Sequence, residues 1–227
     1  CSTRLPRKAL AKIGEFSMIE HVIRNLSDSS LGDIYVATDD QEIFDTVKGT
    51  KAIPIMTDPE CPTGSERVNQ AFAKIPGHEK IKYIINVQGD MPFVKSSVIQ
   101  DIIGGLKKGR ANMMTAVAKI DKDTASSDSN VKVVVDKSNL AMYFSRSMIP
   151  HDAKEFLYHV GIYGFTREAL EQFVNLPQSE CEKIEKLEQL RALENGIKIG
   201  VVFSDEIPIS VDTPEDLEKA RQYFSKS

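Results

Sequence analysis

The stretch IKYIINVQGDMP, residues 81–92, joins an apolar, β-branched run to a Gly-Asp turn that is followed by Met-Pro. A short apolar run bounded by polar and turn residues is typical of a strand buried on both faces. Two similar runs precede it, DIYVAT at 33–38 and AIPIM at 52–56. Helical periodicity lies beside these runs, at Met18–Leu26, Ser65–Ile75 and Ser97–Leu106. Alternating strands and helices predict an α/β fold with a doubly wound, mostly parallel sheet.

The pattern changes after residue 112, where strand-like runs follow one another too closely for crossover helices. These runs are Met113–Ile120, Val131–Asp136, Leu140–Arg146 and Phe156–Phe165. We therefore expect antiparallel pairing and a β-rich insertion at about 112–165. Beyond it the sequence predicts helices at Arg167–Val174 and Ile184–Asn195, a core strand at Ile197–Phe203, and a last helix capped by Thr213.

Residues 1–227 are predicted to form a single domain, because no internal repeat, low-complexity segment or linker divides them. The chain begins in a basic loop, whereas an α/β nucleotide-binding fold should open with a buried strand. We therefore expect the first strand to lie upstream of residue 1.

Composition excludes several classes of function. With 41% hydrophobic residues the chain can bury a core, and its net charge of −4, without a Lys/Arg run longer than two, argues against nucleic-acid binding. The longest apolar runs are too short for membrane insertion. The three cysteines are odd in number and far apart, which predicts reduced thiols and a cytoplasmic protein.

The segment STRLPRK, residues 2–8, brings cations and hydroxyl groups into one predicted loop. Arg4 can bind two phosphate oxygens at once, and Lys8 can place a point charge on a leaving pyrophosphate. The sequence therefore predicts triphosphate binding here. A solvated basic segment is the alternative, and the segment lacks the GxxxxGK[ST] pattern of a P-loop.

Two carboxylates are candidate metal ligands. Asp90 follows a buried strand in NVQGDMP, at the kind of sheet edge where such folds bind ligands, and Asp212 directly precedes a predicted helix in SVDTP. Hard oxygen ligands suit Mg²⁺, which takes few protein carboxylates and completes its shell with water and phosphate. The alternatives are a strand-ending turn at Asp90 and a helix-dipole interaction at Asp212.

Three further segments carry candidate binding residues. In CPTGSER, Gly64 and Ser65 open a predicted helix whose amides can bind a ligand, while Arg67 can reach back to it. Arg146, His159 and Tyr163 lie on predicted strands, and His159 and Tyr163 share one strand face. A polyhydroxy acid would need donors of this kind. Glu188 and Gln189 follow on a helix and can accept from sugar hydroxyls. Each segment has an alternative interpretation. CPTGSER can be an ordinary loop-helix junction, His159 can be a structural histidine, and Glu188 and Gln189 can lie on a solvated helix face.

Eight segments in order resemble the 3-deoxy-manno-octulosonate (Kdo) cytidylyltransferases, also called CMP-Kdo synthetases. They cover nearly the whole chain: STRLPRK, VATDD, PTGSER, NVQGDMP, VKVV with YFSRSMIP, HVGIYGF, LEQLRALENG and VDTPEDL. The resemblance implies a Rossmann-like nucleotidyltransferase sheet with a β-rich dimerisation insertion. It also implies a cytoplasmic homodimer, in a Gram-negative-type bacterium, that forms CMP-Kdo from CTP for lipopolysaccharide.

The resemblance also implies roles for individual residues. Arg4 and Lys8 would hold the triphosphate, and Asp90 and Asp212 the magnesium. Cytidine would contact Gly64, Ser65 and Arg67. The sugar acid would contact Gln88, Arg146, His159, Tyr163, Glu188 and Gln189.

Two residues depart from the family pattern. Arg7 stands where the family usually has glycine, and Met91 where it usually has glutamate. Together with the missing start, these departures leave open a non-catalytic nucleotide-binding homologue. A CMP transferase for another 3-deoxy acid (8-amino-Kdo or a sialic-like acid) is a separate alternative within the same class. Pyrophosphate release from CTP and Kdo would separate catalysis from binding alone.

Overall fold

A computed structural model describes residues 5–27 and 31–226, which group into two compact units. The first unit comprises Cys1–Ile75, Val87–Ser97 and Pro208–Ser227, and the second comprises Pro76–Asn86 and Val98–Ile207. The strands are β1 Lys12–Ile13, β2 Phe16–Ser17, β3 Tyr35–Thr38, β4 Ile53–Met56, β5 Tyr83–Asn86, β6 Met113–Ile120, β7 Lys132–Val135, β8 Ala141–Ser145, β9 Phe156–Thr166 and β10 Ile199–Ser204. The α-helices are α1 Met18–Ser27, α2 Gln41–Lys48, α3 Gly64–Phe72, α4 Ser96–Lys107, α5 Lys122–Ala125, α6 Arg167–Val174, α7 Glu180–Glu185, α8 Gln189–Glu194 and α9 Pro214–Phe224.

The first unit contains the parallel pair β3–β4, in which Tyr35 lies opposite Ile53. Both strands were predicted from their apolar runs, and α1 and α3 were predicted from their helical periodicity. Helix α2 was not predicted, although Asp40 caps it by accepting from the amides of Glu42 and Ile43. Buried apolar residues of α1, of α2 and of the position directly before β4 form one core cluster, whose members are Ile19, Ile23, Val47 and Ala52.

The second unit contains a six-stranded sheet in the order β10-β6-β9-β7-β8, with β5 also paired to β9. Only β6 and β10 are parallel among its described pairs, because the eleven-residue strand β9 runs antiparallel to β5, β6 and β7. The mixed α/β class and the antiparallel pairing of β7 with β8 are confirmed. The prediction of a mostly parallel sheet is wrong, since apolar runs do not encode strand direction.

One predicted helix is two helices. The sequence predicted a continuous helix over Ile184–Asn195, but α7 ends at Glu185 and α8 begins at Gln189. Lys186 between them has φ 56°, a left-handed conformation that ends a helix. None of the helices in the described residues is long and apolar enough to cross a membrane.

Candidate functional site

Lys8 lies between two carboxylates of the first unit. Its Nζ is 2.6 Å from Asp90 Oδ2 and 2.9 Å from Asp212 Oδ1. The side chains of Lys8 and Asp90 are about one-fifth exposed, and that of Asp212 is 42% exposed. Three residues that were proposed separately from the sequence therefore form one charged cluster with access to solvent.

Local structure holds each member of this cluster in place. Lys8 opens a 3₁₀ turn, Lys8–Leu10, directly after Arg7, whose φ of 56° lies in the left-handed region that favours glycine. The amide of Val211 donates to the Asp90 carbonyl at 2.9 Å, and this bond fixes Asp212 beside Asp90. Thr213 caps α9 with a capping box, as its sequence predicted.

The two neighbouring carboxylates determine the direction in which the pKa of Lys8 is shifted. Burial lowers the pKa of Lys8, but the combined attraction and hydrogen bonds of Asp90 and Asp212 outweigh burial and raise it above its ordinary value. Lys8 is therefore a fixed positive charge at neutral pH. Met91, which follows Asp90, is only 5% exposed and packs as a core residue rather than as a polar partner.

The two carboxylates meet the donor requirements of Mg²⁺. Both direct an oxygen toward a single positive charge, so their arrangement already suits a cation. The described residues contain no group of three or more His, Cys, Asp or Glu side chains that could hold a metal. Magnesium needs only one or two protein carboxylates when substrate phosphates and water complete its shell, so Asp90 and Asp212 fit it.

The predicted cytidine residues lie at the start of α3. Thr63 caps this helix through a capping box with Glu66, which places Gly64 and Ser65 in its first turn. Arg67 reaches back, with Nη2 3.0 Å from Asp39 Oδ2 and Nη1 2.7 Å from Thr57 Oγ1. Asp39 follows β3 and Thr57 follows β4, so Arg67 is held at the carboxyl edge of that parallel pair.

Three of the predicted sugar residues are joined in the second unit. Tyr163 Oη donates to Gln189 Oε1 at 2.9 Å, and Gln189 Nε2 lies 3.5 Å from His159 Nδ1. Burial lowers the pKa of His159 to about 3, so its ring is neutral. Burial, assisted by the negative charge of Glu188, raises the pKa of Tyr163 well above its ordinary value, so the phenol keeps its proton.

Arg146 donates to backbone carbonyl groups rather than to the other predicted sugar-binding side chains. Its guanidinium donates to the carbonyls of Glu185, Asp128 and Lys186, and its amide donates to the Glu185 carboxylate. Two of these carbonyl groups, those of Glu185 and Lys186, lie at the end of α7, so Arg146 satisfies acceptors that the helix leaves free where it ends. The structure thus gives Arg146 a structural role, and its sugar-binding role stays a prediction.

The structure says less about two other predicted site residues, Gln88 and Arg4. Gln88 belongs to the first unit, where its carbonyl accepts from the Met91 amide at 3.4 Å in the turn that carries Asp90. Arg4 lies outside the described residues. Its triphosphate role, like all the residue roles above, remains untested.

The sequence interpretation missed three polar residues that hold these side chains. Asp39 and Thr57 bind Arg67, and their position directly after apolar runs could have indicated them. Thr115 contacts His159 at 3.0 Å. No sequence signal marks Thr115, because it lies in the middle of an ordinary apolar strand.

Comparisons with known proteins show the family of this chain. A family model described as Cytidylyltransferase matches residues 1–199. A 3-deoxy-manno-octulosonate cytidylyltransferase of Rickettsia bellii is 49% identical over 100% of this chain and 93% of its own length. That of Rickettsia akari is 48% identical over 98% of this chain and 91% of its own.

A solved structure is also similar. It is the CMP:2-keto-3-deoxy-manno-octonic acid synthetase in complex with CTP, with a TM-score of 0.93 and 33% identity. The match covers 100% of this chain and 95% of that one.

Proposed function

The chain belongs to the cytidylyltransferase family and transfers CMP from CTP to Kdo, and we propose that Lys8, Asp90 and Asp212 form the centre of this reaction. The supporting observation is the ammonium of Lys8 between two carboxylates, at 2.6 and 2.9 Å. This cluster combines a cation for phosphate with oxygen ligands for a metal.

The reaction is a nucleotidyl transfer. The anomeric oxygen of Kdo forms a bond to the α-phosphorus of CTP while the bond to the bridging oxygen breaks, so that pyrophosphate leaves and the hydroxyl proton passes to solvent. Lys8 and Arg4 bind the triphosphate and neutralise the charge that grows on the leaving group. Positioning and charge neutralisation suffice for such a displacement, so no covalent enzyme intermediate is required.

Magnesium is the proposed cofactor. Asp90 and Asp212 would hold it, and when bound it supplies positive charge to phosphate oxygens. Lys8 keeps both carboxylates oriented in its absence, because the ammonium contacts one oxygen of each. The shared ammonium thus offsets the repulsion between Asp90 and Asp212 and holds the two carboxylates beside one another.

The two substrates would bind through different sets of residues. Gly64, Ser65 and Arg67 are proposed to contact cytidine, with Asp39 and Thr57 holding the guanidinium in place. The sugar acid would contact six residues, of which His159, Tyr163 and Gln189 are already joined by hydrogen bonds; the others are Gln88, Arg146 and Glu188.

We also propose a homodimer. Strand β8 lies at the edge of its sheet and exposes Met142 (61%) and Tyr143 (36%), and Ile184 on α7 is 77% exposed. Exposed apolar residues beside a sheet edge favour association with a second copy. Light scattering should give twice the chain mass, and Met142→Glu should give a monomer; a wild-type monomer would contradict this proposal.

The cellular setting follows from the reaction. We propose that the chain acts in the cytoplasm of a Gram-negative-type bacterium, where CTP is available, and that its CMP-Kdo is used for lipopolysaccharide. Cys61 and Cys181 are both free thiols, in agreement with a reducing compartment.

The experiment is pyrophosphate release from CTP, Kdo and Mg²⁺. We expect release with the wild-type protein, its loss after EDTA, and a large decrease in Asp90→Asn, whereas Asp45→Asn on the exposed side of α2 should behave as wild type. Undiminished release in Asp90→Asn or after EDTA would contradict the metal assignment. Faster turnover of 8-amino-Kdo or of a sialic-like acid would identify the alternative substrate, and CTP binding without turnover would identify a non-catalytic homologue.

A further inference from the structure

Thr115 is a fully buried residue of β6 whose hydroxyl touches three groups of β9. Its Oγ1 lies 2.7 Å from the carbonyl oxygen of Ile162, 3.2 Å from that of Val160 and 3.0 Å from Nε2 of His159. The β6–β9 register shifts at this point, because Thr115 pairs with Tyr163 and the next residue pairs with Val160. The bulge therefore directs two carbonyl groups of β9 at one hydroxyl.

The hydrogens at Thr115 can be assigned by counting donors. A threonine hydroxyl has one hydrogen, and carbonyl oxygens can only accept. The hydrogen of Thr115 therefore goes to the Ile162 carbonyl, which is the shortest contact at 2.7 Å. The contact with His159 must then be made by a ring N–H, so Nε2 of His159 carries the hydrogen.

This assignment extends from His159 through Gln189 to Tyr163. A neutral imidazole with its hydrogen on Nε2 has a lone pair on Nδ1, which faces the amide nitrogen of Gln189 at 3.5 Å. The amide oxygen of Gln189 then faces Tyr163 and accepts its phenolic hydrogen at 2.9 Å. The single hydrogen of Tyr163 is used inside the protein, and only the lone pairs of its oxygen remain for a ligand.

We propose that Thr115 is a positioning residue that sets the direction of the chain Tyr163 → Gln189 → His159 → Thr115, and so makes Tyr163 an acceptor for a sugar hydroxyl. The opposite direction would place the hydrogen of His159 on Nδ1, turn the Gln189 amide round and leave the Tyr163 hydroxyl as a donor. Thr115 determines the direction, because among these four side chains it is the one whose contacts include backbone carbonyl oxygens, which can only accept a hydrogen. The inference rests on the proposed sugar-binding role of Tyr163, whereas the direction of the chain does not.

The direction can be measured without substrate. Nitrogen-15 NMR of the histidine rings distinguishes the two neutral tautomers, and we expect His159 to carry its hydrogen on Nε2 in the wild type and in Thr115→Ser, which keeps the hydroxyl. Thr115→Val removes the hydroxyl at nearly constant shape and should lose that exclusive tautomer. Tyr163→Phe should keep it, since the chain is fixed from its other end.

Kinetics then test the consequence for the substrate. Thr115→Val should raise the KM for Kdo roughly tenfold, as expected for a lost hydrogen bond partner, while the KM for CTP stays within about twofold; Thr115→Ser should restore the Kdo value. An Nδ1–H tautomer in the wild type, or an unchanged KM for Kdo in Thr115→Val, would overturn the inference. An unchanged KM for Kdo in Tyr163→Phe would instead refute the sugar-binding role on which it rests.

Discussion

Replacement of Lys8 by alanine is the most direct test of the proposed reaction centre. The ammonium of Lys8 has three hydrogens, and two of them bind Asp90 and Asp212 at 2.6 and 2.9 Å. The third can reach a phosphate oxygen without breaking either ion pair. Lys8→Ala should therefore remove one charged contact to the leaving pyrophosphate, while the hydrogen bond from the Val211 amide to the Asp90 carbonyl still holds the two proposed metal ligands beside each other.

The expected loss of turnover is about a hundredfold. A single group that stabilises charge in the transition state contributes roughly 3 kcal/mol, and each 1.36 kcal/mol changes the rate about tenfold. The Lys8 side chain is only 21% exposed, so water does not fully screen this contact. Ion pairs with the two carboxylates reduce the charge available to the phosphate, which keeps the estimate at the lower end of the range.

Steady-state pyrophosphate release at saturating CTP and Kdo measures this loss. The matched control is Lys12→Ala, because Lys12 is 61% exposed and its ion pair with Glu20 is long, at 3.7 Å. A magnesium titration adds a second readout: Asp90→Asn should raise the Mg²⁺ concentration for half-maximal rate, and Lys8→Ala should not. Wild-type turnover in folded Lys8→Ala, or an equal loss in Lys12→Ala, would refute the assigned role.

Three further predictions concern urea unfolding. Burial lowers the pKa of His159 from its ordinary 6.5 to about 3, so the unfolded state binds more protons in acid than the folded state does. The free energy of unfolding should therefore fall by about 2 kcal/mol between pH 7 and pH 5. His159→Gln should remove this contribution to the pH dependence. Arg191→Met should cost about 3–5 kcal/mol by leaving Glu182 buried without its 2.6 Å ion-pair partner, and adding Glu182→Gln should recover part of the loss. Gly164→Ala should cost about 1–3 kcal/mol because its Cβ would lie 2.4 Å from a core side chain, whereas Gly104→Ala, with open space, should not destabilise.

Local patterns predicted most of the secondary structure but not the strand order. Strand β6 and helix α6 have the predicted bounds, since periodicity and flanking residues act within a few positions. The direction of β9 depends on distant partners, such as those in β6, which run from Met113↔Phe165 to Ile120↔Phe156, and an apolar run carries no information about them. Helix α2 was missed although its cap, Asp40, is a strong start signal, because the acidic segment reads as a loop.

In the candidate site, too, the sequence indicated residue types but not the contacts between them. Residue types suggested Lys8 and Asp90 as candidates, because a phosphate and a metal each require a particular charge. Their shared ion pair could not be read from the sequence, since it joins residues 82 positions apart. Arg146 illustrates the limit most clearly: its charge suggested a carboxylate ligand, yet backbone carbonyls at the end of α7 already bind its guanidinium.

A sequence pattern also does not predict which group donates and which accepts in a hydrogen bond. His159, Tyr163 and Gln189 were selected as donors and acceptors by type, yet each of these side chains can act as either. What decides between the two is a bulge in β9 that directs carbonyl oxygens at Thr115. Because backbone carbonyls cannot donate, a buried threonine without a recognisable motif sets the character of the whole group. The specificity of such a site therefore depends on the backbone as much as on the side chains that would touch the ligand.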